Sequence, residues 1–209
     1  MDSTRGLIYS VTEWITRFAY LNLLLLVFSL LGGVILGFFP ALTAMFAVIR
    51  QWLRGNTDMP VLKTYWDYYR KDFWKSNVIG LFVGSIIALI AIDILFIQAN
   101  GSTGLAWTNI PLFAFMLLFL LFLFHLFPTF AHYDVSAGKV IKHAFLLTLV
   151  NPVSSLFILL CLVPLVFIMQ LAPALAFIFG GSVYAFVTMW ITMKAFDKAQ
   201  QKNMAASSH

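Results

Sequence analysis

Long apolar runs, separated by short segments that gather nearly all of the charge, make up this chain. The run from Phe18 to Ile49 holds no charged side chain. An α-helix rises about 1.5 Å per residue, so about 20 residues cross a hydrocarbon core about 30 Å thick. The run is too long for one crossing and suits two short ones, with turn residues at Gly32-Gly33 and at Gly37-Phe38-Phe39-Pro40. Proline is tolerated in a first helical turn, where its missing N–H would have no partner anyway. Span 1 is expected over Trp14–Leu31 and span 2 over Phe39–Trp52. Span 2 is short, and a re-entrant segment there is the competing reading, which lowers the count from six spans to five.

Four later spans follow. Span 3 covers Asn77–Ile97 and is broken by the polar stretch Gln98–Gly104; span 4 covers Pro111–Phe130. Span 5 opens at Asn151-Pro152, a capping residue before a favourable first helical residue, and ends near Gln170. A tight Leu171-Ala172-Pro173 connection leads to span 6, Ala174 to about Met193. Barrels also span lipid, but their strands alternate apolar and polar residues in segments of about ten, and these runs do not. The pattern predicts an all-α, polytopic transmembrane helical bundle, a single integral membrane domain over 1–209.

Charge sets the expected orientation. Arg5 and Arg17 sit at the N-terminal entry, and Arg50, Arg54, Lys63, Arg70, Lys71 and Lys75 lie in the loop between spans 2 and 3. Lys139 and Lys142 lie between spans 4 and 5, and Lys194, Lys198 and Lys202 follow span 6. Basic residues near span ends stay cytoplasmic. Six crossings with both termini inside satisfy every group, whereas five force one group outward. Juxtamembrane cations also attract the anionic inner leaflet of the bilayer. They form no nucleic-acid reader motif, so no nucleic-acid partner is expected.

Composition narrows the class further. Apolar residues make up 62 % of the 209-residue chain and charged residues 10 %, against roughly 25 % charged in ordinary soluble domains. Cys161 is the single cysteine, which excludes a disulfide scaffold. Phe18–Ile49 has no Ala-x-Ala-like cleavage site, so it is expected to be permanent rather than a removable signal. Asp2 and the Ser-Ser-His terminus give no lipidation signal.

The longest polar piece, residues 55–76, carries a helix-start signal at Asn56-Thr57-Asp58 before Pro60. Leu62, Tyr65, Trp66, Tyr69 and Phe73 then recur at helical spacing, with Lys63, Asp67, Arg70 and Lys71 on the other side. This is the pattern of an amphipathic interfacial helix lying in the headgroup layer, and the same five apolar residues are the candidate docking surface for a partner. Val140–Phe145 repeats the theme more weakly. Phe39-Pro40 and Phe127-Pro128 form a faint internal echo.

Candidate chemistry is sparse. Ionisable residues inside a span are functional suspects, which singles out Asp93 and His125 as pathway candidates. His132 and His143 lack a carboxylate or thiolate at ligand spacing, so no metal site is expected. Phosphate-binding, nucleophile-elbow and zinc-protease motifs are missing. Ser154-Ser155 has no His or Lys on an obvious shared face. No catalytic residue and no cofactor are expected.

Three stretches resemble the YesL family of small bacterial integral membrane proteins, a domain of unknown function. They are Asn22–Leu26, the segment Gly37–Gly55 with its Pro40-Ala41…Ala44 and Val48-x-Arg50-x-Trp52 core, and Phe127-Pro128 with Lys142-His143-Ala144-Phe145. Members are typically found in Gram-positive bacteria, often encoded beside carbohydrate ABC importers and a sensor kinase pair. The resemblance implies a cytoplasmic-membrane protein with a non-enzymatic accessory role in carbohydrate import, the permease subunits of an ABC importer being the implied partners. A small transporter or channel using Asp93 or His125 is the alternative. The coupling signature of ABC permeases is missing from residues 55–76, so the chain is not expected to be the permease itself.

Overall fold

The computed structural model describes the backbone of residues 2–99 and 106–207 and the side chains of 9–99 and 109–197. Among these residues there are eight helices and no strand: α1 Asp2–Leu31, α2 Ile35–Leu53, α3 Val61–Lys71, α4 Phe73–Ala99, α5 Ala106–His132, α6 Ala137–Val150, α7 Pro152–Leu171 and α8 Pro173–Ser207. Six of them, all but α3 and α6, are long and apolar enough to cross a membrane. The chain is thus an all-helical membrane bundle, as the run lengths predict. Residues 100–105, which take in most of the expected polar break, lie outside the described residues.

Most helices extend beyond their apolar runs, because the membrane limits where polar side chains sit and not where hydrogen-bonded backbone stops. The start of α2 differs from the expectation for a specific reason. The chain turns at Gly32–Val34, and Gly37 and Pro40 lie inside α2. The N–H of Val34 donates to Ser29 O and that of Gly33 to Leu30 O, with Gly33 at φ +75°, a Schellman end to α1. The N–H of Ile35 then donates to Gly33 O around Val34, which sits at φ 64°, ψ −67°. That is a γ-turn of the rare, strained hand, and on a β-branched residue it is a costly one. Two glycines and one strained valine therefore return the chain within three residues. The other end of α2 closes in the same Schellman pattern at Gly55 (φ +92°), with Gly55 N–H to Trp52 O and Asn56 N–H to Gln51 O.

Helix α2 is the hub, in contact with α1, α3, α4, α5 and α8. Two-thirds of its most apolar window is buried (67 %), against 17–33 % for the other five spans. Small residues make this possible by letting backbones approach. A Cβ on Gly37 would stand 2.3 Å from Ser29 O, and one on Gly80 would stand 2.3 Å from the Phe39 ring. Gly181 of α8 is pressed in the same way against Asn22 and Leu25 of α1. The main core gathers Leu21, Leu25 and Phe28 of α1, Met45, Phe46, Ile49 and Trp52 of α2, Tyr65 and Tyr69 of α3, Phe127 of α5 and Met189 of α8.

Contacts gather Arg17, Arg50, Lys71 and Lys75 near one end of the bundle; the side chains of Arg5, Lys198 and Lys202 lie outside the described residues. Arg17 lies 5.6 Å from the ring centres of both Trp14 and Trp52. Arg50 donates to His132 O (3.1 Å), Lys71 pairs with Asp134 (2.9 Å), and His132 stacks on Phe196 at 4.3 Å. The middle of α1, the ends of α2, α3 and α5 and Phe196 of α8 therefore meet there.

Two substitutions test the hairpin. Val34→Gly relieves the positive-φ strain and should raise stability in detergent by about 1 kcal/mol, read as a higher unfolding midpoint. Gly37→Ala should lower stability by about 1–3 kcal/mol through overpacking, whereas Gly84→Ala, which faces open space, should not.

Candidate functional site

The amphipathic helix α3 is fastened to the bundle by its tyrosines. Tyr65 is fully buried, and its hydroxyl donates to Ala41 O at 2.6 Å. Tyr69 is buried as well and donates to Phe28 O at 3.1 Å. Phe28 is surrounded by the rings of Tyr65, Trp66 and Tyr69, with centroids 4.9, 5.7 and 5.1 Å away. On the next face Tyr68 accepts a hydrogen bond from Gln51 Nε2 at 2.9 Å. Burial pushes the Tyr65 and Tyr69 hydroxyls above their usual range, so both remain protonated donors.

This geometry corrects the expected five-residue docking face. Tyr65 and Tyr69 point into the core, and Phe73 is half-buried against it. Only Leu62 (52 % exposed) and Trp66 (45 %) stay open, and Trp74 at the start of α4 joins them at 77 %. The physical reason is that an apolar stripe on a short helix is first of all a surface to bury, and α2 with α1 offers the nearest partner. Tyrosine fits such a place because its hydroxyl can satisfy a second lone pair on a helical carbonyl.

The two pathway candidates are not brought together. Asp93 is exposed on α4, six residues before the end of that helix. His125 is fully buried where α5 meets α7 and α8. Its Nε2 lies 2.9 Å from Ser155 Oγ and its Nδ1 lies 3.2 Å from Thr192 Oγ1. A neutral imidazole has one donor and one acceptor nitrogen, and two hydroxyls can serve both. Sequence inspection considered Ser155 and found no histidine for it; the helix crossing supplies one from thirty residues earlier. The cluster has a nucleophile and a base within hydrogen-bond reach. It is nevertheless closed on every side, with Ser155 at 1 % exposure and His125 and Thr192 at 0 %. What it accomplishes in this conformation is to tie three helices together. His132 and His143 face elsewhere, towards Phe196 and Tyr133, and no group of three metal-ligating residues occurs among the described residues.

A further polar clamp escaped notice in the sequence. Asn22, within the apolar run of α1, donates from Nδ2 to Phe177 O and accepts at Oδ1 from Gly181 N–H (3.1 Å). One amide thus spans both ends of a single rung of α8. An Asn in an otherwise uninterrupted apolar run was the available signal, since an amide facing lipid would be costly. Thr43 Oγ1 and Ser76 Oγ, 2.8 Å apart, join α2 to α4 in the same manner.

Comparison with known proteins shows the family and adds no activity. A family described as "Protein of unknown function, DUF624" matches residues 18–94. Over 200 residues the chain is 34 % identical to the uncharacterized protein YteU of Bacillus subtilis (strain 168), covering 96 % of this chain and 90 % of that one. It is 30 % identical to YesV of the same organism (95 % and 96 % covered) and 31 % identical to YesL (92 % of each), both also uncharacterized. The chain therefore belongs to the YesL (DUF624) family of unknown function. No solved structure matches it.

The histidine cluster is tested by a mutant cycle. Ser155→Ala should cost about 1 kcal/mol, and its coupling to His125→Phe should lie near 0.6 and below about 1.7 kcal/mol; zero coupling would remove the clamp. A second test concerns Asp72, at the joint of α3 and α4, whose carboxyl is raised above its usual range chiefly by burial. A raised folded-state value means that its stabilising contribution is complete below the ordinary carboxylate value and is lost as pH rises through the folded one. Asp72→Asn should therefore gain stability relative to the unsubstituted protein as pH rises from the ordinary carboxylate value through the raised one, read as a growing difference in unfolding midpoint.

Proposed function

We propose that the chain is a non-enzymatic accessory protein of the bacterial cytoplasmic membrane, and that it grips the permease subunits of a carbohydrate ABC importer through Leu62, Trp66 and Trp74. One observation carries the reading: Leu62 and Trp66 stand exposed on α3, whose opposite face is locked into the core, and Trp74 stands exposed beside them at the start of α4. A rigid aromatic edge loses little conformational freedom when a partner covers it, and tryptophan is the residue type most enriched at binding hot spots. The surface rests on this geometry; the importer as partner rests on the family resemblance.

The transporter alternative draws less support. Asp93 is exposed on α4, while His125 is engaged on both nitrogens within a closed cluster, so the two define no common route.

Photo-cross-linking from position 66 in native membranes, followed by purification in mild detergent, tests the reading. An importer permease subunit should be captured from position 66 and not from Leu156 on α7. Trp66→Ala should lower its recovery about tenfold or more while the protein remains folded. Capture of no importer subunit at native expression levels would refute the proposal.

A further inference from the structure

At the basic end of the bundle, α2, α3, α4 and α5 enclose a polar cleft of about 160 Å³ lined by Thr43, Arg50, Tyr68, Lys71, Lys75 and His132 among others. Three cations from three helices converge on it. Arg50 spends one amino group on His132 O (3.1 Å), while its Nε is buried without a hydrogen-bond partner. His132 Nδ1, in the same wall, is buried and unpartnered as well. Unpaired buried polar nitrogens are costly, and a guanidinium with a free edge is suited to a tetrahedral or planar oxyanion.

The two lysines already show how they would hold such a group. Asp134, on the α5–α6 connection, places Oδ2 2.9 Å from Lys71 Nζ and Oδ1 3.8 Å from Lys75 Nζ. Its carboxylate is thus an internal oxyanion at the mouth of the cleft, with one oxygen towards each ammonium. Its side chain is 77 % exposed, and exposed ion pairs are weak. A ligand with more charge and more oxygens can displace it. Once Asp134 moves aside, Arg50, Lys71 and Lys75 face a single remaining acid in the wall, Asp72, so positive charge still dominates the cleft.

We propose that this cleft binds a phosphate group, Arg50, Lys71 and Lys75 supplying the charge and Asp134 acting as the carboxylate it displaces. The same chemistry is offered by a soluble phosphate compound and by the headgroup of an anionic phospholipid, and the experiment separates them. The full-length protein in neutral detergent is titrated with inorganic phosphate against chloride at equal ionic strength, following the unfolding midpoint. In parallel it is reconstituted in nanodiscs of phosphatidylcholine with or without phosphatidylglycerol. A phosphate-specific rise assigns a soluble ligand; a rise with phosphatidylglycerol alone assigns the lipid. In whichever arm responds, Lys71→Gln should weaken the apparent affinity about tenfold. Asp134→Asn should tighten it by about threefold, and Asp58→Asn, an equal charge change on an exposed residue outside the cleft, should not. Lys71 and Asp134 are exposed, so neither test depends on Arg50→Gln folding. No response in either arm, or equal effects of Asp134→Asn and Asp58→Asn, would overturn the proposal.

Discussion

The burial of α2 is the constraint on which the rest of the bundle depends. At 19 residues it is the shortest of the six apolar helices, and it is also the most enclosed. Lipid tails are as apolar as leucine, so no hydrophobic force draws one span against another inside a bilayer. Close packing and hydrogen bonding must do it instead. Helix α2 is made for that role: Gly37, Ala41, Ala44 and Ala47 keep its surface low, Thr43 reaches Ser76, and Ala41 offers its carbonyl to Tyr65. The tight turn at Val34 then follows, because a hairpin packed this closely at Gly32 and Gly37 leaves no room for a wider loop.

Six polar side chains within the spans tie one helix to another. Asn22, Thr43, Ser76, His125, Ser155 and Thr192 are all buried, and each hydrogen-bonds to another helix. Each is a point where leaving the contact would strand a polar group in hydrocarbon, which makes these pairs determinants of register as much as of stability. The outer surfaces of α4, α5 and α7, by contrast, are leucine, isoleucine, valine and phenylalanine with little polar interruption. The interior is still largely apolar, but the small and polar residues lie there and not on the outer surfaces.

The number and extent of the spans were legible in the sequence because hydropathy reports directly on the solvent that each segment meets. The meeting of Arg17, Arg50, Lys71 and Lys75 near one end has a related reason, since the translocation cost of Lys and Arg acts on every hairpin at once. Pairings between helices were not legible. His125 and Ser155 lie on different helices, and nothing in their separation announces that α5 and α7 cross at that depth. The aromatic stripe of α3 was read correctly as a face, but periodicity cannot say whether a face meets lipid, a partner or the protein's own core; the decisive facts are the carbonyls of Ala41 and Phe28, which belong to distant turns. The Phe-Pro dipeptides at Phe39-Pro40 and Phe127-Pro128 meet different neighbours. Phe127 stacks on Phe46 at 5.6 Å, seven residues beyond Phe39, whose ring lies against Gly80.

Helix α3 concentrates these arguments in eleven residues. Its inner face is fixed by Tyr65 and Tyr69, its outer edge presents Leu62 and Trp66, and Tyr68 and Lys71 line the basic cleft. Rolling the helix to hide the exposed edge would break two hydrogen bonds from buried hydroxyls and open the ring cluster around Phe28. Leaving buried donors and acceptors unpaired costs more than an exposed aromatic edge does. The exposed tryptophan is therefore not an accident of a loosely held surface helix. It is the side of α3 left over after the core and the cleft have each claimed one, held in place by contacts that a partner would not need to rebuild.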